Sequence, residues 1–162
     1  MNSDKFISTG NVDYSKLCNL LTAQRWIEAN QETLAIMLHL SGRQLEGWLR
    51  REDIEKIPCQ DLCIIDQLWL EYSNGHFGFS TQKQILASLG GSKKFDYQTY
   101  CRFGDRIGWR VKGDWITYSD LMNTLNAPDG HLPSVYPGAR WGWLGRLLCR
   151  WQVSSLTSRV PS

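Results

Sequence analysis

Apolar positions in this chain recur at three- and four-residue steps, and the pattern is cleanest between Pro58 and Leu89. There Leu62, Ile65, Leu68, Trp69 and Tyr72 fall on one face of a predicted helix. Asp61 lies in the expected first turn, where a carboxylate suits the positive end of the helix dipole. Asn74-Gly75 follows, and both residues tolerate the left-handed backbone that closes a helix. Phe77-Gly78-Phe79 comes next, and Thr81 with Gln84 has the spacing of a capping box opening a second helix. The prediction is two helices joined by a tight corner whose phenylalanines enter a core.

Residues 1–12 are polar and aperiodic and read as a loose arm. Asp13 can cap a short helix carrying Tyr14, Leu17, Leu20 and Leu21. After a turn at Gln24-Arg25, a longer helix is predicted with Trp26, Asn30, Thr33, Leu34, Met37 and Leu38 inward, stopped by Ser41-Gly42. This hairpin resembles a single tetratricopeptide-like unit. No second copy follows at the roughly 34-residue period of such arrays, so it must pack on the rest of the chain.

Residues 43–57 are charged, with only Leu45, Trp48, Leu49, Ile54 and Ile57 as large apolar side chains, and Pro58 breaks the segment. Phe95, Tyr97, Tyr100, Phe103 and Ile107 suggest another short helix. Gly108 to Tyr118 alternates aromatic and polar around Lys112-Gly113-Asp114, as a small hairpin does. Residues 126–140 hold three prolines and read as a long ordered loop, a type of segment that is more often functional than not. A final helix is expected from Trp141 to Trp151, then a disordered tail over 153–162. The fold class is mainly α: one compact helical domain over residues 13–152, with a long ordered loop before its last helix.

Composition narrows the function. Lys and Arg number 18 against 16 Asp and Glu, and a net charge of +2 is too weak for a surface that tracks phosphates. Eight Trp is unusual, since large flat side chains build cores and also line pockets for flat ligands. The five Cys form an odd set without regular spacing and read as free thiols of a reducing compartment. No N-terminal targeting segment is seen, and no stretch approaches the roughly 20 apolar residues that span a bilayer. The expectation is a cytoplasmic, soluble protein.

Catalytic constellations are missing. Cys59 and Cys63 with His39 and His76 match no standard zinc spacing and read as small buried hydrophobes. No base and orienting partner frame a Cys or Ser nucleophile, and Gly90-Gly91 lacks the spacing of a phosphate loop. Asp61 and Asp66 read as capping and ion-pairing groups. Arg140 to Trp151 interleaves Arg with Trp, yet Trp143, Leu147 and Trp151 recur at helical steps and favour a packed helix over nucleic-acid binding. An enzyme is not expected.

Two regions rich in large apolar residues remain. One runs from Leu40 to Ile54 and the other from Trp115 through Tyr118, Leu121, Leu132, Val135 and Tyr136 to Arg140. Exposed apolar loops with one or two basic residues suit a large, flat ligand bearing carboxylates. The alternative is that these side chains only cap the core.

At this point the residues resemble a known family. Glu52-Asp-Ile-Glu-Lys-Ile-Pro-Cys-Gln-Asp-Leu, Ile65-Asp-Gln-Leu-Trp, Ser73-Asn-Gly-His-Phe-Gly-Phe-Ser-x-Gln, Ile107-Gly-Trp-Arg and Ala127-Pro-Asp-Gly-His-Leu-Pro appear in order over about Asp13 to Trp151. Together they resemble the genomes-uncoupled porphyrin-binding domain, the accessory regulator of magnesium chelatase in chlorophyll synthesis. The resemblance implies a helical "cupped hand" that binds protoporphyrin IX or magnesium protoporphyrin IX, requires no cofactor and is not itself a catalyst. It implies the large porphyrin-binding subunit of magnesium chelatase as partner, a monomeric state, room for peripheral membrane association, and a cyanobacterial, cytoplasmic setting. Carried onto this chain, it places the ligand among Leu45, Trp48, Leu49, Ile54, Trp115, Tyr118, Leu121, Leu132, Val135, Tyr136 and Arg140. Arg140, with Arg43, is expected to meet the propionates. The competing readings are a divergent member that binds a linear bilin or haem, and a protein-interaction adaptor without a chelatase role.

Overall fold

A computed structural model describes residues 12–90 and 96–135. The expected arm up to residue 11, the final helix Trp141–Trp151, the tail, Tyr136 and Arg140 lie outside the described residues. Six helices are described: α1 (Ser15–Thr22), α2 (Trp26–Ser41), α3 (Arg51–Lys56), α4 (Cys59–Tyr72), α5 (Phe79–Ser88) and α6 (Tyr97–Arg106). A two-stranded hairpin follows, β1 (Arg110–Val111) and β2 (Asp114–Trp115), then a 3-10 turn at Tyr118–Asp120. Arg110 pairs with Trp115 and Val111 with Asp114, and the turn between them has Lys112 and Gly113 at φ 52° and 91°. Two successive positive φ values match the twist of the strands they join.

Helix α2 is the axis of the domain, with α1 and α3 packed on it and α1 also against α4. It stops where the sequence predicts, at Gly42 in the left-handed conformation. Its buried face carries Trp26, Ala29, Asn30, Thr33, Ile36, Met37 and Leu38. Trp26 meets Phe77 edge-on at 5.4 Å, and Trp69 lies 6.2 Å from each of them. The indole N–H of Trp69 donates to Thr33 Oγ1 at 2.9 Å, so this polar atom is satisfied inside the core.

The corner between α4 and α5 is built as expected in outline and differently in detail. Asn74 and Gly75 adopt left-handed φ values of 54° and 79°, and Phe77 and Phe79 are completely buried. Thr81 does not cap α5, which already begins at Phe79 with Gly78 before it. The cap comes from α4: Asp66 accepts Ser80 N–H at 2.9 Å and the Ser80 hydroxyl at 2.5 Å. Thr81 instead donates to the Gly75 carbonyl at 2.9 Å. A carboxylate fourteen residues away has taken the role that local spacing assigned to Thr81, because the corner folds α4 back onto the start of α5.

Candidate functional site

The expected ligand residues divide sharply by burial. In the loop between α2 and α3, Leu45 is fully exposed at 101% and Trp48 is exposed at 41%. Leu49 and Ile54, a few residues further on, are core at 1% and 0%. Trp115, Leu121, Leu132 and Val135 are buried in the same core, with Tyr118 half-buried against it. Among the described residues of the set, the open apolar surface is therefore Leu45, Trp48 and part of Tyr118, while Leu49, Ile54, Trp115, Leu121, Leu132 and Val135 belong to the core. The reason is that Leu49 and Ile54 flank the entry to α3 and pin it down, whereas Leu45 sits at the loop's tip.

That loop is held by charge. The Asp53 side chain has no exposed surface, yet it receives Arg50 N–H and Nε at 2.9 Å and Nη2 at 3.0 Å, with Arg43 Nε at 3.2 Å. These donors, the Arg50 side chain foremost, pull the Asp53 carboxyl down to about 2. Arg43 also pairs with Glu46 at 2.7 Å and places its guanidinium 4.9 Å from the centre of the Trp48 ring. In this structure the charge of Arg43, expected to meet a propionate, is matched by Asp53 and Glu46. Its function in the loop is to hold Trp48 in place.

The second region is anchored from below. Asn30 on α2 takes Ser134 N–H at 2.6 Å and donates to the Ser134 carbonyl at 2.8 Å and to the Tyr118 hydroxyl at 3.1 Å. Gln82 on α5 donates to the carbonyls of Gly130 and Pro133 at 2.9 and 3.0 Å. Trp109 Nε1 reaches the His131 carbonyl at 2.7 Å, and Gly78 N–H reaches that of Leu132 at 3.0 Å. His131 is fully buried, with Nδ1 2.8 Å from the Ile107 carbonyl and Nε2 3.0 Å from Met122 N–H. Because Nε2 must accept, Nδ1 carries the proton and the ring is neutral, in keeping with burial lowering its pKa.

Residues 130–135 thus have no regular secondary structure and yet are fixed by side chains from α2, α5 and the segment after α6. Trp115 is fixed by a vacancy: a Cβ on Gly104 would lie 2.7 Å from its ring, so only glycine lets the indole lie there, stacked on Tyr100 at 4.6 Å. Sequence reasoning placed Asn30 on the inner face of α2 but missed its role, and it missed Asp53, Gln82, Gly104 and His131. Only an unexplained buried polar residue in an apolar stripe, such as Asn30, could have signalled one of them.

Both regions hang on α2. From Asn30 to Ser41, where the first loop begins, the helix rises about 16 Å. Among the described residues, no group of three or more His, Cys, Asp or Glu is placed to hold a metal, and no helix is long and apolar enough to cross a membrane.

The ycf53 protein of Cyanidium caldarium is 37% identical over 127 residues, covering 76% of this chain and 51% of that protein. A Synechocystis protein described as ycf53-like is 31% identical over 129 residues, covering 78% of this chain and 52% of its own length. An Arabidopsis thaliana protein named Tetrapyrrole-binding protein, chloroplastic, is 32% identical over 132 residues, 74% of this chain and 47% of that one. The chain spans about half the length of the curated relatives it matches. The structure of GUN4 from Chlamydomonas reinhardtii superposes with a TM-score of 0.69 over 92% of both chains at 24% identity. Ligand-free GUN4 from Arabidopsis thaliana superposes with a TM-score of 0.71 over 96% of this chain and all of that one, at 21% identity. These two likenesses establish a shared, mostly helical fold. With a GUN4-like profile matching residues 7–146, the chain belongs to the GUN4-like family.

Proposed function

We propose that this domain binds a tetrapyrrole, protoporphyrin IX or its magnesium form, without transforming it. The observation that carries this reading is the 132-residue match to the Arabidopsis protein named for tetrapyrrole binding. The local physics is compatible: Leu45 and Trp48 stand exposed on a loop pinned by a buried carboxylate, so apolar surface is offered at little further cost in loop entropy. Apolar burial against this surface and Tyr118 supplies the affinity, and cations set the orientation. With Arg43 engaged, that role falls to Arg140. The finer proposal is that the loaded protein acts in the cytoplasm as a monomeric regulator that stimulates magnesium chelatase through its large porphyrin-binding subunit.

The test is an absorbance and tryptophan-quenching titration of the full chain with protoporphyrin IX, its magnesium complex, haem and biliverdin. Saturable micromolar binding of the first two supports the reading. Preference for biliverdin or haem turns it toward a divergent member of the family, and no binding of any tetrapyrrole leaves only a protein-interaction adaptor. Stimulation of magnesium chelatase by the loaded protein, added to the purified enzyme, checks the regulatory part.

A further inference from the structure

The amide of Asn30 can be oriented from its neighbours. The Ser134 N–H can only donate, so the Asn30 atom 2.6 Å from it is Oδ1. The other end is then Nδ2, which has two hydrogens and accepts nothing. One hydrogen goes to the Ser134 carbonyl at 2.8 Å and the second to the Tyr118 hydroxyl oxygen at 3.1 Å. Tyr118 therefore accepts from Asn30 and cannot return its own proton there. Among the described residues the Tyr118 hydroxyl makes no other hydrogen bond. A half-buried phenol whose oxygen accepts from Asn30 thus keeps a proton for which the described residues supply no acceptor.

We infer that Tyr118 is a specificity-determining donor to a carboxylate of the bound tetrapyrrole, and that Asn30 is the positioning residue that aims its proton. This rests on the tetrapyrrole reading above. A macrocycle face offers only apolar contact, whereas a propionate is the strong acceptor that a single aimed O–H can select. The ring fixes the hydroxyl and Asn30 fixes its polarity, so the donor is oriented before the ligand arrives. The donor itself carries no charge, so it acts beside any cation that meets the same carboxylates.

The experiment titrates the full chain with deuteroporphyrin IX and with its dimethyl ester, which keeps the macrocycle and lacks the carboxylates. The parent is expected to prefer the acid, and Tyr118→Phe is expected to cut that acid-over-ester ratio by about tenfold. Near-ultraviolet circular dichroism confirms that the variant is folded. Asn30→Asp gives an independent route, since an aspartate oxygen in place of Nδ2 draws the phenol proton inward and removes the outward donor while keeping the hydroxyl. It is expected to lose the same preference. An unchanged ratio in a folded Tyr118→Phe protein, or equal weakening of both ligands, reduces Tyr118 to packing and overturns the assignment. If the parent binds neither compound, the tetrapyrrole reading itself fails and takes this role with it.

Discussion

The wholly buried carboxylate of Asp53 lies 3.2 Å from Nε of Arg43, and Arg43 in turn lies over the exposed ring of Trp48. A charge with no solvent contact thereby sets the position of an aromatic side chain on the surface. The order of these parts explains why the loop between α2 and α3 can display Leu45 and Trp48 without collapsing onto the core. Asp53→Asn keeps the shape and removes the charge. It is expected to cost about 1–2 kcal/mol, less than a fully buried pair because Arg50 is half exposed. Since the Asp53 carboxyl is held at about 2, below its usual value, its contribution is complete at neutral pH and is lost only as pH falls from about 4 toward 2. Denaturant unfolding of parent and variant at pH 7 and pH 3 checks this: the gap between them should shrink at the lower pH.

His131 predicts a pH dependence in a milder range. Its folded pKa is lowered by burial, so the unfolded chain takes up a proton first as pH falls. Its share of stability is present above the usual histidine range of about 6.5 and declines below it. Urea midpoints measured between pH 8 and pH 5 should fall with acidification. Imidazole nitrogen shifts should report the Nδ1-protonated tautomer at pH 7, and a doubly protonated His131 in the folded protein at that pH would contradict the hydrogen-bond pattern to Ile107 and Met122.

Phe77 and Phe79 are completely buried, and Phe77 closes the ring cluster with Trp26 and Trp69. Alanine at either position should cost roughly 3–5 kcal/mol and lower the melting temperature steeply. Gly78 between them has φ 135°, and a Cβ there would lie 3.0 Å from the Asp66 carboxylate and 3.1 Å from Leu70. Gly78→Ala should therefore destabilise the domain although it adds a single methyl group. A Phe79→Ala protein of parental stability with lost porphyrin binding would reverse the assignment of this corner to scaffold.

Leu45 is the opposite case. It is fully exposed, so Leu45→Ser should leave the unfolding free energy within about 0.5 kcal/mol of the parent. If the α2–α3 loop faces the tetrapyrrole, the same change should weaken binding by about 1–2 kcal/mol, roughly tenfold, from lost apolar burial. Protoporphyrin titration together with thermal unfolding separates the two effects. Parental affinity in Leu45→Ser would remove this loop from the ligand surface.

How much of this was legible beforehand depends on the range of the interaction. Periodicity set the inward faces of α2 and α4, because a helix buries what it presents every three to four residues. Positive-φ residues marked the ends at Gly42 and Asn74-Gly75 and the hairpin at Lys112-Gly113, since those conformations depend on the residue itself. The motif order was enough to indicate the family. Tertiary structure decided the rest. It moved the cap of α5 from Thr81 to Asp66, because only folding brings α4 against that corner. It sent Leu49 and Ile54 into the core and left Leu45 outside, although all three read alike as apolar residues in a charged segment. It drew Arg43 to Asp53 and joined Asn30 to Tyr118 and Ser134 across 88 and 104 residues of chain. Hydrogen bonds of that span have no local signature: the sequence shows which groups need partners, and the packing of helices decides which partners they meet.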